Sequence, residues 1–149
     1  MRVLADIPVE PRNYPLKGCI MSDKKQLNIL LIMSDEHDPG VTACYGHPLV
    51  KTPAMDRLAG EGVLFDNAYC NSPMCVPSRM SFITGRYGFQ VGVWDNGSPL
   101  RCEDPTFAHY FEVAGYETAL CGRMHMVGPD RLHGFGRRLY EDMESHKGL

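Results

Sequence analysis

The sequence has no apolar run of the roughly 18 residues that a membrane-spanning helix needs. Residues 1–20 also lack the continuous apolar core of a secretory signal. The net charge is only −3 at pH 7, which gives no reason to expect a nucleic acid or an anionic membrane as partner. Internal repeats and low-complexity tracts are missing too. These absences favour an ordinary globular protein that binds neither nucleic acid nor membranes.

The six cysteines include no Cys-x-x-Cys pair, which argues against a zinc site or a dithiol redox centre. We therefore expect reduced thiols, several of them buried, at five positions: Cys19, Cys44, Cys70, Cys102 and Cys121. Reduced thiols are typical of proteins that stay inside the cell, because the cytosol keeps cysteines reduced. This pattern predicts a cytoplasmic location.

A chain of 149 residues is long enough for about one domain. Residues 1–20 contain three prolines and show no helix or strand period, so we interpret them as a loose arm or a mis-assigned leader. Met21 is a plausible true start. The folded part of the chain is then predicted to be residues 21–149.

Three segments have the composition of β-strands: residues 27–33 (LNILLIM), 63–68 and 118–121. The first is apolar on both faces, which is typical of a central parallel strand covered on both sides. Helices are predicted from Pro53 to Gly62 with Thr52 as N-cap, after Pro77 to Gly85, and from Pro105 to Gly115 with Asp104 as N-cap.

Strands that alternate with helices predict an α/β fold with a mainly parallel sheet flanked by helices. The sheet is incomplete in this chain, which ends in a polar stretch.

Ionisable residues follow two of the predicted strands, at residues 34–38 and 122–125. The carboxyl ends of parallel strands share one edge of a sheet, where ligands usually bind. Asp35, Glu36 and Asp38 offer the hard oxygen ligands that Ca²⁺, Mg²⁺ or Mn²⁺ prefer. A solvated acidic turn would have the same composition, so the spacing leaves both interpretations open.

Residues 75–79 (CVPSR) carry the strongest signal in the chain. A helix that begins near Pro77 would point free N–H groups and its positive end at an oxyanion. Arg79, one turn later, could add a bidentate guanidinium. Arg123 and His125 are two residues apart, so their side chains should lie on one side of an extended segment. Singly, each residue could be structural; together they favour an anion-binding catalytic site.

The string from Cys75 to Arg79, followed by Thr84-Gly85-Arg86, resembles the signature of the formylglycine-dependent sulfatases of the alkaline phosphatase superfamily. The resemblance runs from residue 27 to about residue 140. Residues 115–120 and 125–135 look closest to the choline-sulfatase branch. The resemblance implies an alkaline-phosphatase-like fold and hydrolysis of a small sulfate ester.

The resemblance also implies roles for single residues. A maturation enzyme would oxidise Cys75 to formylglycine, whose hydrate attacks sulfur and contacts a divalent cation, most simply Ca²⁺. Asp35 would be a ligand of that cation, and Glu36 takes a neighbouring acidic position. Arg79 would stabilise the hydrate. Arg123 replaces a lysine and could neutralise sulfate, and His125 would orient or protonate groups near the leaving oxygen.

Sulfatases are much longer than this chain, which resembles only their front portion. The sequence therefore leaves two alternatives to a sulfatase. One is a phosphonate or phosphodiester hydrolase of the same superfamily, and the other is a catalytically inactive, truncated fragment. Homo-oligomerisation is also left open by the sequence.

Overall fold

The computed structural model describes residues 26–140. They divide into two compact units, residues 26–69 and residues 70–140. The arm predicted at residues 1–20 lies outside the described residues. No helix between residues 26 and 140 is long and apolar enough to cross a membrane.

The first unit consists of short helices joined by turns. Two 3₁₀ helices span Pro39–Val41 and Ala43–Tyr45, and helix α1 spans Pro53–Glu61. Thr52 precedes α1, as predicted, with a proline at the first helical position. Its hydroxyl accepts a hydrogen bond from the Ala43 amide at 3.0 Å and donates one to Asp56 Oδ1 at 2.8 Å. The threonine thereby links α1 to the second 3₁₀ helix.

The strands predicted at residues 27–33 and 63–68 are not formed, so these two predictions are wrong. Leu27 and Leu30 remain 73% and 77% exposed. A strand requires a neighbour that accepts and donates its backbone hydrogen bonds. The one sheet within the described residues contains neither segment. The apolar composition of these segments indicates a tendency to be buried, but it does not show whether another strand is available to pair with them.

The second unit contains the sheet and three helices. Helices α2, α3 and α4 span Cys75–Thr84, Gly88–Val91 and Phe107–Val113, and strands β1 and β2 span Ala119–Cys121 and Arg137–Tyr140. The strands are parallel, with Ala119 opposite Arg137. The parallel pairing and the helices around it confirm the α/β prediction. Strand β2, whose sequence RRLY is mostly polar, was not predicted.

Helix α2 provides the centre of the core of this unit. Val76, Met80 and Ile83 recur at helical spacing and are at most 1% exposed. Full burial of such side chains contributes roughly 1.5–3 kcal/mol each. The other buried apolar residues are Val91, Val93, Leu100, Ala108, Leu120, Met124, Met126 and Phe135. The helix that begins at Cys75 is therefore held by the best-packed part of the unit.

Two helix starts differ from the prediction. Helix α2 begins at Cys75, two residues before Pro77, and ends before Gly85, whose φ is +67°. Helix α4 begins at Phe107 with Thr106 as its N-cap, so the predicted cap at Asp104 is wrong. The carboxylate of Asp104 instead accepts hydrogen bonds from two arginines, which compete successfully for it.

His133 lies in the connection between β1 and β2 and is completely buried. Its amide donates to Asp130 Oδ1 at 2.9 Å, and its carbonyl accepts from Thr106 Oγ1 at 2.6 Å. The ring Nδ1 lies 3.4 Å from Asp130 Oδ2. The next residue, Gly134, has φ +89°, and a Cβ there would come within 2.5 Å of the His109 ring. Only glycine fits at this point, so the backbone around His133 is closely constrained.

We expect the burial of His133 to make the second unit sensitive to acid. Burial lowers the pKa of its imidazole below the ordinary 6.5, and nearby His109 acts in the same direction, although Asp130 and Asp104 oppose the shift. The unfolded chain therefore binds a proton first as the pH falls below about 6.5, and the free energy of unfolding decreases.

Urea unfolding at pH 7 and pH 5 measures this effect. His133→Asn is the informative variant, because asparagine does not titrate and tolerates the positive φ of 41° found here. We expect the midpoint to drop between pH 7 and pH 5 in the unsubstituted chain and to drop less in the variant. Equal drops would show that another group controls the acid sensitivity.

Candidate active site

Helix α2 carries two of the predicted site residues, one turn apart. Cys75 is the first residue of the helix and is partly buried. Arg79 follows one turn later and is only 7% exposed. Its Nη1 donates a hydrogen bond of 2.9 Å to the backbone carbonyl of Arg123. One side chain therefore ties the helix that begins at Cys75 to the segment that follows β1.

Arg123 and His125 meet as the sequence predicts. Arg123 Nη2 lies 3.2 Å from His125 Nδ1. A guanidinium can only donate, so Nδ1 is the acceptor and the neutral imidazole carries its hydrogen on Nε2. The segment is not extended throughout, because His125 has φ +54°. This left-handed backbone costs roughly 1–2 kcal/mol and indicates that the surrounding contacts hold the ring in place.

Sequence reasoning missed the contact that Asn96 makes with α2. Its side-chain Oδ1 accepts a hydrogen bond from the Val76 amide at 3.0 Å. Residues 95 and 96 have the composition of a turn, and a turn is what they form. No local pattern indicates that the side chain reaches a helix twenty positions earlier. The contact depends on tertiary structure.

Four of the five cysteines predicted to be reduced are described by the structure, and all four are free thiols, as expected. Their predicted burial is wrong, because Cys44 is only partly buried and Cys70, Cys102 and Cys121 are exposed. The fifth, Cys19, lies outside the described residues. Cys70 lies near the start of α2, where its Sγ donates to the Ser72 carbonyl and lies 2.9 Å from Ser78 Oγ. The three exposed cysteines lie in loops and in a short strand, where the small core does not cover them.

Asp35 and Glu36, the predicted metal ligands, lie in the first unit. Both are exposed, and Glu36 has φ +52°. Asp38 is engaged locally, because its Oδ1 accepts from the Gly40 amide at 2.7 Å. Across residues 26–140 no group of three or more His, Cys, Asp or Glu side chains could hold a metal ion. Carboxylates are the type of ligand that a hard cation prefers, but these carboxylates do not form a complete site.

The second unit therefore contains four of the six predicted site residues: Cys75 and Arg79 on α2, and Arg123 and His125 after β1. The hydrogen bond from Arg79 to the Arg123 carbonyl joins the two segments. Two guanidinium groups and the amino end of a ten-residue helix concentrate positive charge around this part of the second unit. An imidazole that carries hydrogen on Nε2 lies next to one of these cations. Such an arrangement can bind a tetrahedral oxyanion and donate hydrogen bonds to it.

Known proteins match this chain over most of its length. The family described as Sulfatase matches residues 27–142. The chain is 40% identical over 116 residues to a choline-sulfatase of Rhizobium meliloti, covering 78% of this chain and 23% of that protein. It is 38% identical over 105 residues to an N-acetylglucosamine-6-O-sulfatase of Bacteroides thetaiotaomicron, covering 70% of this chain and 19% of that protein.

The fold agrees with a solved structure of a protein in complex with its substrate D-glucosamine-2-N,6-O-disulfate. The TM-score is 0.71 at 37% identity, with 76% of this chain and 23% of that chain covered. This likeness confirms the predicted alkaline-phosphatase-like fold class.

The chain spans no more than about a quarter of the length of these relatives, since it covers 19–23% of them. The match nevertheless includes the CVPSR segment, the segment after β1 and both strands. The chain belongs to the sulfatase family.

Proposed function

We propose that this chain forms the nucleophile-bearing part of a sulfuric ester hydrolase. The observation that carries the proposal is the link from α2 to the segment after β1, in which Arg79 bonds to the Arg123 carbonyl and Arg123 contacts His125. It gathers cationic and hydrogen-bond-donating groups near the helix that begins at Cys75. Membership of the sulfatase family supports the same activity.

In this proposal Cys75 is oxidised to formylglycine by a maturation enzyme, and a divalent cation, with Ca²⁺ as first candidate, binds at Asp35 and Glu36. When present, these groups supply the attacking hydroxyl and polarise the sulfate. Both assignments follow from the family resemblance.

The residues of the second unit have separate tasks in binding the sulfate group. Arg79 and Arg123 offset the negative charge of the sulfate oxygens, most strongly as charge develops in the transition state. Arg123 cannot serve as an acid, because a guanidinium does not release its proton. His125 is assigned to the leaving oxygen, because the contact of Arg123 with Nδ1 leaves Nε2–H to donate a hydrogen bond that orients this oxygen.

The substrate is proposed to be a small sulfate ester. Choline sulfate is the first candidate, since a choline-sulfatase is among the similar proteins. A cytoplasmic location remains a proposal that rests on the reduced cysteines. A phosphonate or phosphodiester substrate is the second candidate, because the same cations would also bind a phosphoryl group.

Hydrolysis assays on the protein isolated from its natural source test the activity. We expect sulfate esters to be cleaved with a kcat/KM at least about a hundredfold above that for matched phosphate and phosphonate esters, a preference of about 2.7 kcal/mol in the transition state. Mass spectrometry of the peptide that contains Cys75 should show the aldehyde. The reverse preference would support the second candidate. A free thiol with no hydrolysis would support the inactive-fragment alternative.

A further inference from the structure

The Val76 amide needs an acceptor from outside its helix. It lies in the first turn of α2, where backbone N–H groups have no partner within the helix. Met74, the residue at the N-cap, provides no side-chain hydrogen bond. Val76 is completely buried, so water does not replace the missing acceptor. An unpartnered amide at this depth would be costly.

Asn96 supplies that acceptor across twenty residues. Its Oδ1 lies 3.0 Å from the Val76 nitrogen, a normal length for an N–H···O hydrogen bond. The contact joins the turn after Val93 to the start of the helix that carries Cys75. Since an amide oxygen can only accept, the orientation of the Asn96 side-chain amide is also determined.

The turn that presents Asn96 is held on both sides. Asp95 Oδ1 accepts from the Gly97 amide at 2.9 Å and from Ser98 Oγ at 2.7 Å. Before the turn, Val93 is buried and its amide donates to the Gly88 carbonyl at 3.0 Å. Asn96 thus projects from a fixed turn onto the helix.

We infer that Asn96 is a positioning residue for the residue at position 75. The peptide between residues 75 and 76 is planar, so fixing the direction of its N–H fixes the whole plane. That plane restricts ψ at residue 75 and therefore the direction of its Cα–Cβ bond. The inference rests on the proposed function, because position 75 matters as the source of the nucleophile. Asn96 acts here through the backbone.

Hydrogen exchange at the Val76 amide in the full chain measures the contact directly. Asn96→Ala removes the acceptor, and we expect exchange at least about tenfold faster, because the buried amide then has no partner that holds it closed. Asn96→Asp keeps an acceptor oxygen and should stay within about threefold of the unsubstituted chain.

Ser98→Ala is the matched control. It removes a hydrogen bond from the same turn but leaves the Asn96 amide in place. It should accelerate Val76 exchange much less than Asn96→Ala does. Unchanged exchange in Asn96→Ala, or equal acceleration in Ser98→Ala, would overturn the inference.

Kinetics of the mature enzyme provide the second readout. A positioning role predicts that Asn96→Ala lowers kcat about tenfold with KM within about threefold, and that Asn96→Asp restores much of kcat. The added charge of aspartate should raise KM for an anionic substrate. A rise in KM with unchanged kcat in Asn96→Ala would instead mean direct substrate contact and contradict the inference. If the unsubstituted enzyme cleaves no sulfate ester, the proposed function fails, while the exchange data still decide the Val76 contact.

Discussion

Cys75→Ala should abolish sulfate ester hydrolysis, by at least about a thousandfold in kcat, and leave the protein folded. Loss of a nucleophile commonly has effects of this size, because the remaining groups can bind and polarise the substrate but cannot attack it. The fold should persist, because Cys75 is only partly buried and lies outside the packed residues of α2. Steady-state kinetics and thermal unfolding of the mature protein measure the two results.

The same substitution at Cys102 is the control. Cys102 is exposed and lies in the loop before α4, so its replacement should change neither activity nor unfolding temperature. Retained hydrolysis in Cys75→Ala would contradict the assignment of the nucleophile. If Cys75→Ala does not fold, hydrogen exchange at the Val76 amide in Asn96→Ala still tests the start of the same helix.

Asp104→Ala should lower the free energy of unfolding by about 2 kcal/mol or more, the second large effect we expect. The carboxylate is 4% exposed and accepts from Arg86 at 2.8 Å and from Arg101 at 2.9 and 3.0 Å. Breaking a buried ion pair costs roughly 3–5 kcal/mol. The two arginines are partly exposed and can regain water, which reduces the cost. Urea unfolding at neutral pH measures the change.

Glu103→Ala is the matched control for this substitution. Glu103 lies 3.8 Å from the same Arg101, but its side chain is 72% exposed. Such a surface pair contributes at most about 1 kcal/mol. The hydrogen bonds from Arg101 lower the pKa of Asp104, so its contribution should disappear as the pH falls through the acidic range. Equal destabilisation by Glu103→Ala and Asp104→Ala would refute the structural importance of the buried carboxylate.

Sequence reasoning succeeded where a feature is local. The helix after Thr52, the end of α2 at Gly85 and the strand that contains Leu120 all follow from short-range rules for caps, glycine and apolar runs. Arg123 and His125 also meet as expected, although the backbone at His125 is not extended as their spacing assumed. In each case the residues that decide the conformation lie within a few positions of it.

Sequence reasoning failed where the local structure depends on residues far away in the sequence. The run at residues 27–33 has the composition of a strand, yet its pairing depends on another strand. Strand β2 shows the opposite: a polar sequence becomes a strand because β1 lies beside it. Asp104 looks like a helix cap until two arginines compete for its carboxylate.

The candidate site shows the same difference between local features, which could be predicted, and long-range contacts, which could not. The residue types and their order along the chain predicted four residues that the second unit brings together. The sequence could not predict that Arg79 would bind a backbone carbonyl or that Asn96 would reach Val76. The metal assignment for Asp35 and Glu36 stays a prediction.

The bond from Arg79 to the Arg123 carbonyl spans 44 positions, whereas the hydrogen bonds that make α2 helical are all short-range. Helicity and orientation of α2 are therefore separable quantities. Loosening of the β1–β2 pair would release the helix from its anchor and leave its own turns intact. Far-ultraviolet circular dichroism, which reports helix content, would then show little change in a molecule that has already lost its site. A probe attached at the segment after β1 would report that loss first.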